Sequence, residues 1–454
     1  MSKFLGLVVL PGLFLFASCS RAERIKENPT FAEDIAPIVF KNCSPCHRPG
    51  EAGPFPLLSY DDVKKKAKTI AAVTQARYMP PWPADPTYSH FLHERFLTDQ
   101  QIALINTWVA DGAPAGDLAK APPAPQFPVS NYGKPDLVVK MREPVHIPGD
   151  NKDRFMVVKI PYEMLAERYV RAIEFVPGNR KLIHHMNGQI VQYDNKKKDP
   201  FEGPYIVDRA TAPQLEESYD ALHLLNDDGS YPQLIPSVAN YLPGGVSPAG
   251  YPDGIGGWTL KRRGAFLMRD IHYGPSPVDT EDQSYFNLFF TDTAPTRPTM
   301  EMQLGTLGIS EIIPPLIIPP NEVKTFTTKT VVDQDISVLT VEPHMHLLGK
   351  SMKAFAATPE GQTIPLINIP KWDFRWQFFY TYPKMVKIPK GSTIAAIAVF
   401  DNTANNLNNP NSPPKTVIGT NGSMRVTDEM FQFILRYLPY KHGDENISLD
   451  SSAR

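Results

Sequence analysis

Three cysteines in 454 residues are too few to staple a chain of this size. They stand at 19, 43 and 46, and each has a role other than pairing, so disulfide cross-linking is excluded and the cores must stand without it. Charge of one sign is lacking too: a formal net charge of -2 gives no basic field and argues against nucleic acid as a partner. Beyond the N-terminus no apolar run is long enough to span a bilayer. What the chain has in quantity is proline, 47 residues, which favours loop-rich β architecture over long helices. The length fits two to four domains.

Residues 1–18 read as a signal peptide: Lys3 supplies the positive start and Phe4 to Phe16 the apolar segment,. Phe16-Ala17-Ser18-Cys19 resembles a bacterial lipobox, with Phe16 where Leu is usual. The expectation is a lipidated Cys19, a short linker over 19–29 and an exported protein anchored in the bacterial cell envelope, facing the periplasm or the cell surface. The alternative is ordinary cleavage near Ser18.

Residues 30–116 predict a small helical domain. Thr30-Phe31-Ala32-Glu33 has the form of a helix-capping box,, and Pro37 sits where it would kink that helix. The helix leads into Cys43-Ser44-Pro45-Cys46-His47, the C-x-x-C-H attachment signature of c-type haem,. The thiols add to the haem and His47 is placed to ligate iron. A second helix is expected from Asp61 to near Arg77, and a third from a capping box at Thr98 to near Asp111. Between them Tyr78-Met79-Pro80-Pro81-Trp82 puts Met79 on a proline-held loop, suited to the second axial position. His90 and His93 compete for that role, and packing alone is the other reading of Met79. The stretch 30–116 resembles a small c-type cytochrome domain, and 117–135, rich in Ala and Pro, reads as a semi-rigid linker,.

From 136 onward short β segments bounded by Pro and Gly recur, the pattern of sandwiches or barrels. Two are expected, 136–305 and 306–445, with a tail at 446–454. The stretch from Gly443 onward reads as disordered. Trp372, Phe374, Trp376, Phe378 and Tyr380 alternate as one core-facing strand would,.

Four local patterns bear on chemistry. Val341-Glu342-Pro343-His344-Met345-His346 puts two imidazoles on one strand face,. Leu182-Ile183-His184-His185-Met186 has adjacent histidines, which share one metal only at an irregular backbone or a strand end. Met268-Arg269-Asp270-Ile271-His272-Tyr273-Gly274 places Asp270 and His272 on one face. Thr427-Asp428-Glu429-Met430 completes the set. Singly each is as readily structural.

In this order, with Asn408-Asn409-Pro410-Asn411 ahead of the last, they resemble the copper type II, ascorbate-dependent monooxygenases. The resemblance covers 136–445. It implies two jelly-roll-like β-sandwiches, each holding one copper, across a wet cleft. Carried over by motif, His184, His185 and His272 would hold an electron-storing copper, and His344, His346 and Met430 a copper that meets O2. A thioether beside two imidazoles suits Cu(I) and three imidazoles suit a site that cycles. The implied activity is hydroxylation of a substrate C–H bond.

The chain departs from the family in three respects. The animal members' disulfides are missing. Where the peptidylglycine members carry an Arg two positions before His-x-His, this chain has Glu342, and Gln432 and Ile434 replace their Asn and Tyr after the copper Met. Glu342 and Gln432 thus become candidate substrate residues, and Glu342 favours a cationic or neutral polar small molecule. A fused haem is the third departure. Held on a tether of roughly twenty residues, at about millimolar effective concentration, it is expected to pass electrons from an envelope donor, with ascorbate as the alternative, to the copper at His184, His185 and His272. The sequence-level reading is thus a multidomain chain, a small all-α cytochrome c domain followed by two all-β jelly-roll-like sandwich domains, carrying one covalent haem c and two copper ions. The rival reading is a non-catalytic copper-binding or electron-transfer protein on the same scaffold; a third is a haem-tagged adhesin or sensor with vestigial sites.

Overall fold

The computed structural model describes residues 26–51, 53–127, 130, 132–193, 198–242, 250–252, 254–419 and 427–450. The signal segment and Cys19 lie outside the described residues. No described helix is long and apolar enough to cross a membrane.

Residues 26–127 contain helices and loops without a strand. The Thr30 hydroxyl accepts from Glu33 N, and one π-helical turn, Phe31–Ile35, runs into α1, Ala36–Asn42. Pro37 lies in the first turn of α1, where its missing N–H costs nothing; the expected kink takes the form of this π-to-α switch. The second expected helix is two: α2, Tyr60–Lys65, capped by Ser59, and α3, Ala67–Gln75, separated at Lys66. The last, α4, Asp99–Ala110, opens on a complete capping box between Thr98 and Gln101. Phe31, Ile35, Val63, Ile70, Ile105 and Trp108 form a core of their own.

Two pairs of facing sheets follow. In the first, Leu137–Lys140, Tyr285–Thr291, Arg168–Val176 and Trp258–Leu260 make one sheet; Ile206–Asp208, Arg154–Glu163, Arg263–Tyr273, Gly188–Gln192 and Gln233–Ile235 make the other, with Ile183–His185 added on Arg263–Tyr273. Phe175, Ile190, Phe266 and Phe286 fill the space between. In the second pair, Met300–Gly305, Phe431–Pro439, Ile336–Met345 and Tyr380–Ile388 face a sheet of Ile312–Ile313, Val323–Val331, Thr393–Asp401, Gly349–Ala357 and Thr363–Ile369, around Phe326, Phe400, Phe431 and Phe433. Met300–Gly305 already pairs with Phe431–Pro439, so the change of sandwich falls a few residues before the expected join.

Three expectations need correction. The stretch 372–379 is not a strand: Trp372, Phe378 and Tyr380 are core and Trp376 packs against that core, but Phe374 lies elsewhere, as described below. Over its described residues, 443–450, the tail is not loose: Asp444 is buried, with Arg297 donating to both its carboxylate oxygens at 2.7 and 2.9 Å and Ser337 donating at 2.6 Å. Nor is the helical segment held by its linker alone. Residues 79–95 form a strap that inserts Trp82, Ala84 and Phe91 into the second sandwich core. Phe91 packs 5.1 Å from both Tyr380 and Tyr382, and Leu92 N donates to Thr381 O at 2.7 Å.

Candidate metal centres and an apolar cavity

The adjacent histidines at 184 and 185 sit where the backbone stops being regular. Their strand ends at His185, and Met186 breaks away to bridge Tyr241. His185 pairs with His272, and the register shifts at the next step. The break lets both side chains turn to one side. One ring nitrogen of each of His184, His185 and His272 lies within 4.8 Å of the others. Asp153 Oδ1 stands 2.7 Å from His272 Nε2, which fixes the proton on Nε2 and the lone pair on Nδ1. His184 Nδ1, His185 Nε2 and His272 Nδ1 are all buried without a hydrogen-bond partner. Three buried ring nitrogens left without a partner cost free energy unless something such as a metal ion satisfies them,. Burial drives His184 down to about 4, helped by His272 and opposed by Asp153; it holds His185 well below the ordinary histidine range and lowers His272 against the pull of Asp153. All three are therefore neutral at pH 7, the form that binds metal. Asp270 pairs instead with Arg209 at 2.7 Å.

The second cluster lies at the end of Ile336–Met345. A bulge between Val338 and Thr340 sends Val338, Val341 and Met345 into the core and leaves Glu342 and His344 on the opposite face. His344 Nδ1 lies 2.6 Å from Gln377 Oε1, and His346 Nδ1 lies 2.6 Å from Asp428 O; each acceptor places the proton on Nδ1. The two rings are 5.0 Å apart. Burial and the neighbouring His346 push His344 down to about 3. Glu429 explains the acidic motif: its carboxylate accepts from His346 N at 3.0 Å and Leu348 N at 2.6 Å, clamping the turn after the strand. The ladder pairs Met345 with Phe431, so buried Met430 stands beside the cluster at the following step. Gly349 is needed because a Cβ there would meet Trp372 Cδ1 at 2.6 Å, and Trp372 Nε1 donates to His346 O at 3.2 Å.

Phe374 lies between the clusters. Its ring stacks 5.4 Å from His184 and stands 5.6 Å from His346. It sits at the tip of a closed turn, in which Trp376 N donates to Asp373 O at 3.0 Å and Gln377 Nε2 to Phe374 O at 2.9 Å. Glu342 keeps some accessible surface but its carboxyl is ringed by protein; burial and Glu301 raise it to about 7 against the pull of Arg436. Gln432 is engaged, its amide donating to Thr306 O at 3.0 Å.

A third feature is an apolar cavity of about 400 Å³. Cys43, Cys46, His47 and Met79 all line it, with Leu57, Ile70 and Val73. His47 Nδ1 lies 3.1 Å from Phe55 O, which turns Nε2 into the lone-pair nitrogen. A Cβ at Gly53 would meet Cys46 O at 2.6 Å and His47 Cα at 2.9 Å. Burial pushes the Cys43 thiol up to about 12 and lowers His47. Neither His90 nor His93 is among the lining residues; His90 lies 3.4 Å from Glu94. Only Trp376 and Phe378 reach the lining from outside the helical segment, and Trp376 Nε1 is a buried donor without a partner.

Asp153, Phe374 and Gln377 were not flagged by the sequence. Asp153 and Gln377 are lone residues far along the chain from the histidines they orient, and nothing local marks them. Phe374 was visible as part of an aromatic stripe but read as core.

Residues 303–447 match the family model described as copper type II ascorbate-dependent monooxygenase, C-terminal domain. Residues 303–447 are thus similar to the C-terminal domain of that family, and they contain His344, His346 and Met430. No curated protein matches the chain. Among solved structures, the infectious bursal disease virus VP2 subviral particle shows 10% identity over 72% of this chain and 76% of that chain, with a TM-score of 0.17. The Broad Bean Stain Virus structure shows 8% identity over 69% and 94%, with a TM-score of 0.22. At these scores the likeness carries no argument.

Proposed function

We propose that the chain is a copper-dependent monooxygenase that hydroxylates a C–H bond of a small organic substrate with O2, drawing electrons through a covalent haem c. The observation that carries the reading is the convergence of three buried, partnerless imidazole nitrogens on His184, His185 and His272, set across Phe374 from a second pair of histidines in the matched domain. Copper at these positions would supply one-electron storage and O2 activation. His184, His185 and His272 would hold one ion and His344, His346 and Met430 the other, while Asp153, Gln377 and the Asp428 carbonyl orient His272, His344 and His346 in turn,. Haem c joined to Cys43 and Cys46 would supply a one-electron carrier, with His47 and Met79 the residues that would hold its iron; the apolar lining, the Phe55-fixed tautomer of His47 and the partnerless Trp376 Nε1 support it.

Glu342 is the proposed substrate residue: it lies on the strand face of His344, and its ionised form would favour a cationic or neutral polar group. The proposed location is the bacterial envelope, anchored through Cys19, fed by an envelope electron donor or ascorbate.

The test is the copper-to-iron ratio of protein matured in a haem-loading envelope and reconstituted with copper. Two copper ions per haem, falling to one in Met430→Ala or His272→Ala, together with O2 uptake that yields a hydroxylated product, establish the reading. Copper bound without hydroxylation would leave an electron-transfer or storage protein. Radiolabelled fatty acid incorporation that survives Cys19→Ala would overturn the anchor.

A further inference from the structure

The cavity that carries Cys43 and Cys46 is closed on one side by the second sandwich alone. All its lining residues come from 42–95 except Trp376 and Phe378; among the described residues the first sandwich supplies none. The contact is held by Arg375, whose Nη1 donates to Tyr78 OH at 2.8 Å while its guanidinium lies 5.2 Å over the Tyr78 ring and pairs with Asp373 at 2.6 Å. Trp82 from the strap packs 5.7 Å from Phe378. Covalently next to Trp376 is Gln377, whose Oε1 accepts from His344 Nδ1 at 2.6 Å. One peptide unit and one hydrogen bond therefore connect the cavity wall to the second histidine cluster. Through the same turn, Phe374 touches both His346 and His184.

We propose that the turn 373–377 is the electron entry of this protein: Trp376 and Gln377 carry one electron from a ferrous haem in the cavity to a cupric ion at His344, and Phe374 links that cluster to His184. This rests on the haem and copper reading above and reverses the order the sequence suggested, in which electrons reach His184, His185 and His272 first. In the step the iron passes from ferrous to ferric and the copper from cupric to cuprous; no bond is made or broken and no proton moves. Gln377 acts as a positioning residue as well as a conduit, since it sets the tautomer of His344.

The experiment uses full-length protein, haem-reduced and copper-oxidised, mixed without O2 or substrate while the ferrous haem band is followed. Covalent haem content and copper content are measured beforehand, so a failure of the haem or copper reading is seen before mixing and is distinct from a failure of the route. Haem oxidation is expected to survive in His272→Ala and to be lost in His344→Ala. Gln377→Leu is expected to slow it by about tenfold, the effect of about 1.4 kcal/mol in barrier, with Gln377→Glu, which keeps an acceptor for His344, restoring most of the rate. Trp376→Leu gives an independent slowing, with haem spectrum and potential as the check that the cavity persists. Unchanged haem oxidation in His344→Ala, or in both Gln377→Leu and Trp376→Leu, overturns the proposal.

Discussion

At the scale of single residues, the partner that orients a histidine decides which ring nitrogen is left for a metal, and for His272 that partner is Asp153. It is more than half exposed yet holds the proton of buried His272 on Nε2, so Asp153→Asn is expected to weaken copper at this cluster by about 10- to 100-fold while leaving the second cluster alone, measurable by competition with a copper chelator. The paired histidines were legible because each pair is local in the chain, and a spacing of one or two residues already says which faces are available. Their orienting partners were not, because proximity created by folding leaves no mark in the neighbourhood of either residue. The small residues act by what they leave out. Gly349→Ala would drive a methyl into Trp372, and such overpacking costs about 1–3 kcal/mol; a lowered denaturation midpoint together with altered copper binding at His344 and His346 is the expected result, and an unchanged midpoint refutes it.

At the scale of elements, alternation along strands was readable and its interruptions were not. The run from Ile183 to Gln192 is two strands, Ile183–His185 and Gly188–Gln192, and that gap is what allows neighbouring histidines to share a site. The aromatic stripe at 372–380 is core through Trp372, Phe378 and Tyr380, with Trp376 packed against it, but it is a turn and not one strand, and Phe374 leaves it for the histidines: period-two spacing is equally available to a turn. Two acids make opposite predictions about pH. Burial raises the Asp444 carboxyl, but donors on Arg297 and Ser337 outweigh it and bring it to about 2. Its folded value lies below the unfolded value of about 3.9, so its contribution is complete above pH 5 and is lost as pH falls toward 2. Asp444→Asn should therefore lower the thermal midpoint at neutral pH, with the gap closing in acid. Breaking the buried pair through Arg297→Ala is expected to cost about 3–5 kcal/mol. Glu342 is raised by burial to about 7, so its burial is free of this cost below pH 4.5, grows unfavourable between pH 4.5 and about 7, and stays so at higher pH. In metal-free protein, Glu342→Gln should match the parent at pH 4 and exceed it in thermal midpoint at pH 8; equal midpoints at both would show the carboxyl to be solvated.

At the scale of the molecule, the β-rich halves and the separate helical segment follow from composition and motif order, but their attachment does not. The Pro/Ala linker suggested a tether, whereas the strap at 79–95 docks the helical segment through Phe91, Trp82 and Leu92. Cleavage within 117–127 is accordingly expected to leave the two pieces together on size exclusion, and Phe91→Ala, which removes a buried ring at a cost of about 3–5 kcal/mol, to loosen the nicked complex. Separation of the nicked parent protein would show the strap to be incidental. Tyr251 OH against Thr340 Oγ1 at 3.0 Å and Arg436 donating to Ser237 O at 2.9 Å tie the two sandwiches in the same manner.

The shared wall of the cavity also imposes an order on assembly. Cys43 and Cys46 are made early, while Trp376 and Phe378 lie far downstream. A group joined to the two thiols as the chain emerges would meet an open half-site with the strap still unengaged. Once the second sandwich has folded and taken up Phe91 and Trp82, the same thiols face a finished chamber. If the proposed haem is joined to these thiols, its attachment is expected to be faster on the unfolded chain than on the completed fold, where Trp376 and Phe378 wall the cavity.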